Sequence, residues 1–219
     1  MKVIIFGATG MVGQGVLREC LLDPDIERVL AVGRSSTRQL DPRFTEIVHS
    51  DLFDLSAIED KLTGFDACFF CLGVSSFRMN EADYAHLTYD LTFGIARTLS
   101  RLNPAMTFSY VSGSGTDSTE RGNSMWARVK GRTENALLRM PFRAAYMFRP
   151  GMIQPMDGIR SKTPMYQAII SIARPLFPLL RRSFPNAITT TQQLGRAMIV
   201  TAKERGPSRA LEPRDITKY

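Results

Sequence analysis

Cysteine, histidine and tryptophan are scarce in this 219-residue chain, at three, two and one. An odd cysteine count gives no disulfide framework of the kind small secreted domains use. Cys68 and Cys71 have the spacing of a redox pair, but they lie within the apolar run Ala67–Cys71. Positions three apart in a strand point to opposite faces, whereas a redox pair sits at a helix N-terminus. Both read as small buried hydrophobes. Two histidines without metal-ligand spacing give no metal site. No apolar run reaches the roughly 20 residues that a membrane span needs. The start lacks the basic region, apolar core and cleavage site of a secretory leader. These absences point to a cytoplasmic protein with no integral membrane segment.

Lysine is also scarce. Of 28 basic residues 22 are arginine, and against 21 acids they give a net charge of +7. The arginines are scattered along the chain. Such a balance suits an anionic ligand such as a phosphorylated cofactor, or nucleic acid. No nucleic-acid motif accompanies it, so a nucleic-acid partner is not expected.

What is present is concentrated at the start. Val3-Ile4-Ile5-Phe6 reads as a strand buried on both faces. It runs into Gly7-Ala8-Thr9-Gly10-Met11-Val12-Gly13, and Val16, Leu17, Cys20 and Leu21 then recur at helical spacing. Strand, glycine turn and helix in this order make a dinucleotide-binding turn. Gly7 allows the sharp bend, Gly10 lets a pyrophosphate reach the backbone, and Gly13 lets the helix pack on the strand. The helix N-terminus offers its free N–H groups to the phosphates.

Alternating strands and helices come next. Strands are expected at Arg28–Arg34, Thr45–His49, Asp66–Cys71, Met106–Val111 and Ala144–Phe148, and a long helix from Asn80 or Glu81 to Leu102, with Tyr84, Leu87, Leu91 and Ile95 as its buried stripe. The pattern argues an α/β fold, a doubly wound parallel sheet. One domain over residues 1–219 fits this length. Past the second strand, where an acid would select the ribose 2′-OH of NAD, the chain has Gly33, Arg34 and Ser35. A guanidinium beside hydroxyls suits a 2′-phosphate, so NADP(H) is favoured over NAD(H). Residues 152–188, with Pro155, Pro164, Pro175, Pro178 and Pro185 among apolar runs and arginines, read as a small C-terminal helical cap over a substrate cleft. A peripheral membrane surface is the weaker alternative for that segment.

The phrase Gly7-Ala8-Thr9-Gly10-Met11-Val12-Gly13 resembles the extended and atypical branches of the short-chain dehydrogenase/reductase superfamily, which are epimerase/dehydratase-like. The resemblance covers residues 1–151 well. Together with the short length and Lys130-Gly131, it is similar to the Tat-interacting-protein oxidoreductase group. It implies that Asp51 and Leu52 lie beside the adenine. It also implies that the dinucleotide runs past Cys71, Leu72 and Gly73, that Lys130 holds the nicotinamide ribose, and that Pro150 precedes the substrate region.

The same resemblance implies a serine, a tyrosine and a lysine as the catalytic set, the last two four residues apart on one helix face. Lys130 is present, and Ser112 or Ser114 is at the end of the fifth strand. The tyrosine position holds Trp126, whose indole N–H donates a hydrogen bond but gives up no proton at neutral pH. Two readings stay open. The chain is an NADP(H)-dependent oxidoreductase on a carbonyl or sugar-type small molecule, with another group, Tyr84, Tyr110 or His86, giving the proton. Alternatively it is a non-catalytic NADP(H)-binding sensor or interaction protein. Substrate and oligomeric state are not legible.

Overall fold

The structure, a computed structural model, describes residues 1–159, 177 and 187–219. The apolar run at the start forms β1 (Lys2–Phe6), with Val3, Ile4, Ile5 and Phe6 fully buried. Alternation sends Val3 and Ile5 into the core on one face of the sheet, and Ile4 and Phe6 into the core on the other. That double burial is why the run is continuous rather than alternating. After the glycine turn come α1 (Met11–Leu22), β2 (Arg28–Gly33), β3 (Phe44–Val48), a 3₁₀ turn (Ser56–Leu62) and β4 (Ala67–Phe70). The next elements are α2 (Glu81–Ala85), a π-helical turn (His86–Asp90), α3 (Leu91–Leu102), β5 (Thr107–Val111), α4 (Met125–Leu138) and β6 (Ala144–Phe148). The C-terminal part gives β7 (Met152–Gln154), β8 (Ile188–Thr190), α5 (Thr191–Glu204), β9 (Ala210–Leu211) and α6 (Pro213–Ile216).

Seven parallel strands make one sheet in the order β3-β2-β1-β4-β5-β6-β9, and β7 pairs with β8 in a small second sheet. The chain leaves β1 towards β2 on one side and returns to β4 on the other. Phe6 pairs with Phe70, so the carboxyl ends of β1 and β4 lie side by side at the switch point. Ligands bind outside the strand ends at such a point. The fold class read from the sequence is what forms.

The long helix expected from residue 80 to Leu102 is broken into α2 and α3 by the π turn. The extra residue in that turn rotates the side chains beyond it. Tyr84 stays buried and Ile95 is buried, but Leu87 turns out to solvent at 38% exposure, and Thr88 takes the inner position. The expected stripe is therefore corrected at Leu87. The helix begins as read, with the Asn80 side chain accepting the Asp83 N–H at 2.8 Å.

Helix α5 packs on α1 at close range. A Cβ on Gly195 would stand 2.8 Å from Glu19 Cγ, and one on Gly15 would stand 2.6 Å from Thr191 Cβ. Buried Glu19 is satisfied by Arg18 at 2.7 Å and by Arg196 at 2.9 Å. Thr190 opens α5 with a reciprocal capping box to Gln193. The cap expected over 152–188, and the membrane alternative for it, fall largely outside the described residues. Among the described residues no helix is long and apolar enough to cross a membrane.

Candidate active site

A cleft of 820 Å³ opens at the switch point. Its first wall is the glycine turn. Gly7 has φ +83°, and a Cβ there would meet Cys71 backbone at 2.8 Å, so only glycine lets β1 turn beside β4. A Cβ on Gly13 would stand 2.1 Å from Gly7 O, which fixes how tightly α1 sits on the turn. Gly10 caps α1 without any side-chain bond. Gly10 N–H closes on Gly7 O at 3.0 Å, and the first intrahelical bond is Gln14 N–H to Gly10 O at 2.8 Å. Among the described residues the N–H groups of Met11, Val12 and Gly13 therefore carry no backbone partner, and Met11 and Val12 line the cleft with Ala8, Thr9 and Gly10. Free donors at a helix start make an anion site.

One end of the cleft is lined by Gly33, Arg34, Ser35, Thr37, Glu46, Ile47 and Leu52. Arg34 and Ser35 are exposed there. Glu46 carries no mark in the sequence pattern. Its carboxylate accepts from the Ser36 hydroxyl, and from the Thr37 N–H at 2.8 Å and hydroxyl at 2.9 Å. Burial acts to raise its pKa, but these hydrogen bonds outweigh it, so Glu46 is held below the usual range and stays anionic. Leu52 is buried in the wall. Asp51 is not in the lining. Asp51 is exposed, and its Oδ1 accepts the Phe53 N–H at 2.9 Å, which caps the turn.

The middle of the cleft runs past Cys71, Leu72 and Gly73. Cys68 is fully buried in one core and Cys71 borders the other, so the two thiols do face opposite sides of the sheet. Burial pushes the Cys71 thiol up to about 12, which leaves it an inert thiol.

The far end gathers Val111, Ser112, Gly113, Ser114, Lys130, Pro150 and Gly151. Lys130 projects from α4 with 9% exposure. Its Nζ donates to Val111 O at 3.3 Å and lies 5.3 Å from the Tyr110 ring centre. Burial lowers its pKa to about 8, against the opposite pull of the nearby Glu134 carboxylate. The two serines divide. Ser112 hydrogen-bonds to Glu134 and to Phe148 O. Glu134, 1% exposed, is also clasped by Arg149, which reaches Glu212 at 3.0 Å and Ser118 at 2.6 Å. Ser112, half-buried in the cleft lining, is thus tied to a buried network behind it. Ser114 is exposed at the lining, fixed by its own N–H to Pro150 O at 2.9 Å. Gly151 brings β7 against β8, since a Cβ would stand 2.3 Å from Ala187 O.

Trp126 sits on α4 one turn before Lys130, but it does not line the cleft. Its ring lies against the loop that carries Ser114, 3.6 Å from where a Gly115 Cβ would be. Behind it the loop is tied by Asp117, which accepts from Thr119, Gly122 and Arg121 and is held at about 2. The other groups considered as proton donors are elsewhere. Tyr84 and Tyr110 are buried at 2% and 1% exposure, and burial raises both phenols. His86 is exposed, faces Asp90 at 3.2 Å and stacks on Phe53. None of the three lines the cleft.

Sheet order, glycine turn and the lysine at the far end define a Rossmann-type NAD(P)-binding domain of the short-chain dehydrogenase/reductase kind. The model of the NAD dependent epimerase/dehydratase family matches residues 3–119, more than half of the chain, and the chain belongs to that family. It is 25% identical over 158 residues to "Protein fmp52, mitochondrial" of Emericella nidulans, covering 69% of this chain and 66% of that protein. It is 23% identical over 155 residues to HTATIP2 of Rattus norvegicus, covering 69% of this chain and 62% of that protein. The matches span just under two thirds of each relative. Both bear out the resemblance to the atypical group. Among solved structures, an oxidoreductase of the short chain dehydrogenase/reductase family from Burkholderia thailandensis superposes with a TM-score of 0.69 at 18% identity, over 95% of this chain and 88% of that one. A UDP-glucose 4-epimerase superposes with a TM-score of 0.71 at 12% identity, over 100% of this chain and 80% of that one. These likenesses are likenesses of fold.

Proposed function

We propose that the chain is an NADP(H)-dependent oxidoreductase acting on a carbonyl or sugar-type small molecule. The observation that carries this reading is one continuous cleft that joins the bare N-terminus of α1 to the buried Lys130. The donors present fit a dinucleotide: free N–H groups of α1 for the pyrophosphate, an apolar wall at Ile47 and Leu52 for the adenine, and an ammonium at the opposite end. Arg34 has no carboxylate partner among the described residues, and with Ser35 it would hold the 2′-phosphate. Bound NADPH would supply hydride.

The chain's own part in the chemistry falls to Lys130 and Ser114. Lys130 would hold the nicotinamide ribose. With its pKa near 8 it is also the cleft group able to deliver a proton to the carbonyl oxygen, in place of the tyrosine that Trp126 replaces. Ser114 would orient that oxygen. The test tracks reduced-nicotinamide absorbance with a panel of aldehydes, ketones and quinones. Turnover that falls as pH rises through about 8 supports Lys130 as the donor. Turnover that gains at least tenfold in Trp126→Tyr supports an acid position left vacant.

A second reading is favoured by Trp126 itself, which lies outside the cleft and offers no proton. On that reading the protein binds NADP(H) without turnover and acts as a sensor or interaction protein. Tight NADPH binding with an unchanged absorbance across the panel, in both wild type and Trp126→Tyr, decides for it. A cytoplasmic location is part of the proposal. One relative bears a mitochondrial name, and fractionation of the tagged protein separates the two.

A further inference from the structure

The two serines at the far end of the cleft differ in what they can offer it. A hydroxyl carries one hydrogen and two lone pairs. Ser112 Oγ stands within hydrogen-bond distance of Glu134 Oε1 and, at 3.1 Å, of Phe148 O. A carbonyl only accepts. The buried Glu134 also meets Ser112 as an acceptor, because Arg149 Nε donates to its Oε1 at 3.0 Å and to its Oε2 at 3.2 Å, and Arg149 Nη2 donates to Oε2. Whichever oxygen takes it, the single Ser112 hydrogen is spent inside the wall. Lone pairs are all that Ser112 has left for the cleft that it lines. Ser114 is exposed, and its hydroxyl has no partner among the described residues, so it is free to donate.

The place of Ser112 decides which part of a ligand it meets. Lys130 Nζ donates at 3.3 Å to Val111 O, the carbonyl just before Ser112 in the chain. The Ser112 N–H donates to Phe148 O at 2.8 Å, which carries the β5–β6 ladder one step beyond Val111. Ser112 therefore sits on the hydrogen-bonded strand end beside the lysine, and Ser114 two residues further out on the loop. Arg149 is itself anchored, by Glu212 at 3.0 Å at the opening of α6 and by Ser118 at 2.6 Å. The anchored guanidinium fixes the Glu134 carboxylate, and the carboxylate fixes the hydroxyl hydrogen.

We propose that Ser112 is the hydrogen-bond acceptor for the carboxamide N–H of a bound nicotinamide, and that Glu134 is the residue that positions it, by taking the Ser112 hydrogen. This assignment rests on the dinucleotide reading of the cleft and goes beyond it by giving each serine one polarity. Ser112 accepts from the cofactor, and Ser114 donates to the substrate oxygen. In Glu134→Gln the side-chain oxygen stays with Arg149, which can only donate, so the amide N–H groups turn to Ser112. Ser112 then accepts inside the wall, and its hydrogen is released towards the cleft. A substitution that leaves Ser112 in place thus reverses what Ser112 presents.

The test is calorimetric titration of the full chain with NADP⁺ and with its 3-acetylpyridine analogue, in which a methyl ketone replaces the carboxamide and no N–H remains. The readout is the ratio of the two affinities, which a merely structural role does not move. Wild type should prefer NADP⁺. Ser112→Ala should shrink that preference about fivefold, and Ser112→Thr, which keeps the hydroxyl, should retain it. Glu134→Gln should shrink it at least as far with the serine untouched. Where circular dichroism shows that Glu134→Gln does not fold, the two Ser112 variants still decide. A ratio unchanged in Ser112→Ala, or equal losses for both nucleotides in every variant, overturns the proposal while the dinucleotide site stands. A ratio unchanged in a folded Glu134→Gln overturns the positioning role of Glu134. No binding of either nucleotide by wild type removes the dinucleotide reading itself, and this assignment with it.

Discussion

Lys130 is held in a wall that leaves only 9% of it exposed. Burial brings its pKa from 10.5 to about 8, so at neutral pH the folded protein still carries the charge, at a cost. Between pH 8 and 10.5 the unfolded chain binds more protons than the folded one, and stability rises with pH across that window. Lys130→Met removes the term. The variant should be more stable than wild type at about pH 7.5 by a few kcal/mol, an order-of-magnitude figure. That gap in urea unfolding should narrow by about pH 9.5, while affinity for the nicotinamide half of the cofactor falls. A gap that does not change with pH would contradict a depressed Lys130. At the other end of the cleft, Arg34 and Glu46 carry opposite charges. Arg34→Asp should weaken NADPH binding and favour NADH relatively. Glu46→Gln takes away an anion from the same end and should raise the NADPH preference severalfold, roughly. A preference that falls instead would show that Glu46 matters by holding Ser36 and Thr37 in place.

The elements explain why that lysine is where it is. Helix α4 sits against the loop after β5 because Gly131 has no side chain: a Cβ there would stand 1.7 Å from Asp117 O. Gly131→Ala should force the loop away and cost about 1–3 kcal/mol in urea unfolding. Gly94→Ala is the control. It lies in α3 with nothing within 4 Å of its would-be Cβ, so it should be neutral or stabilising by about 0.5–1 kcal/mol. Equal losses in the two variants would show that helix propensity, not the close approach, governs Gly131. Elements with a local period are legible in the sequence. The strands β1 to β6 and the glycine turn each arise from apolar runs and small residues in a fixed order. The strands β7, β8 and β9 are two or three residues long and show no period to read. The π turn has no compositional mark, so the spacing alone puts Leu87 on the wrong face. The engagement of Ser112 by Glu134 joins residues 22 apart in sequence. Glu46 reaches Ser36 across a loop. Such side-chain partners are set by packing between elements, and local patterning does not carry them.

At the scale of the whole molecule, the sheet order puts the two ends of the cleft on opposite sides of the switch point, so one extended ligand is needed to fill it. The +7 charge works in the same direction, drawing an anionic ligand to the domain. On the proposed reading a phosphorylated dinucleotide would meet both conditions, with its pyrophosphate at α1, its 2′-phosphate at Arg34 and its nicotinamide at Lys130. The measurement that tests this most directly is calorimetric titration of the protein with NADPH, beside NADH under the same conditions. The account predicts one site per chain, with NADPH bound more tightly and the difference abolished in Arg34→Asp. Absence of heat and of saturation with either nucleotide would contradict the reading of the glycine turn and everything placed along the cleft beyond it.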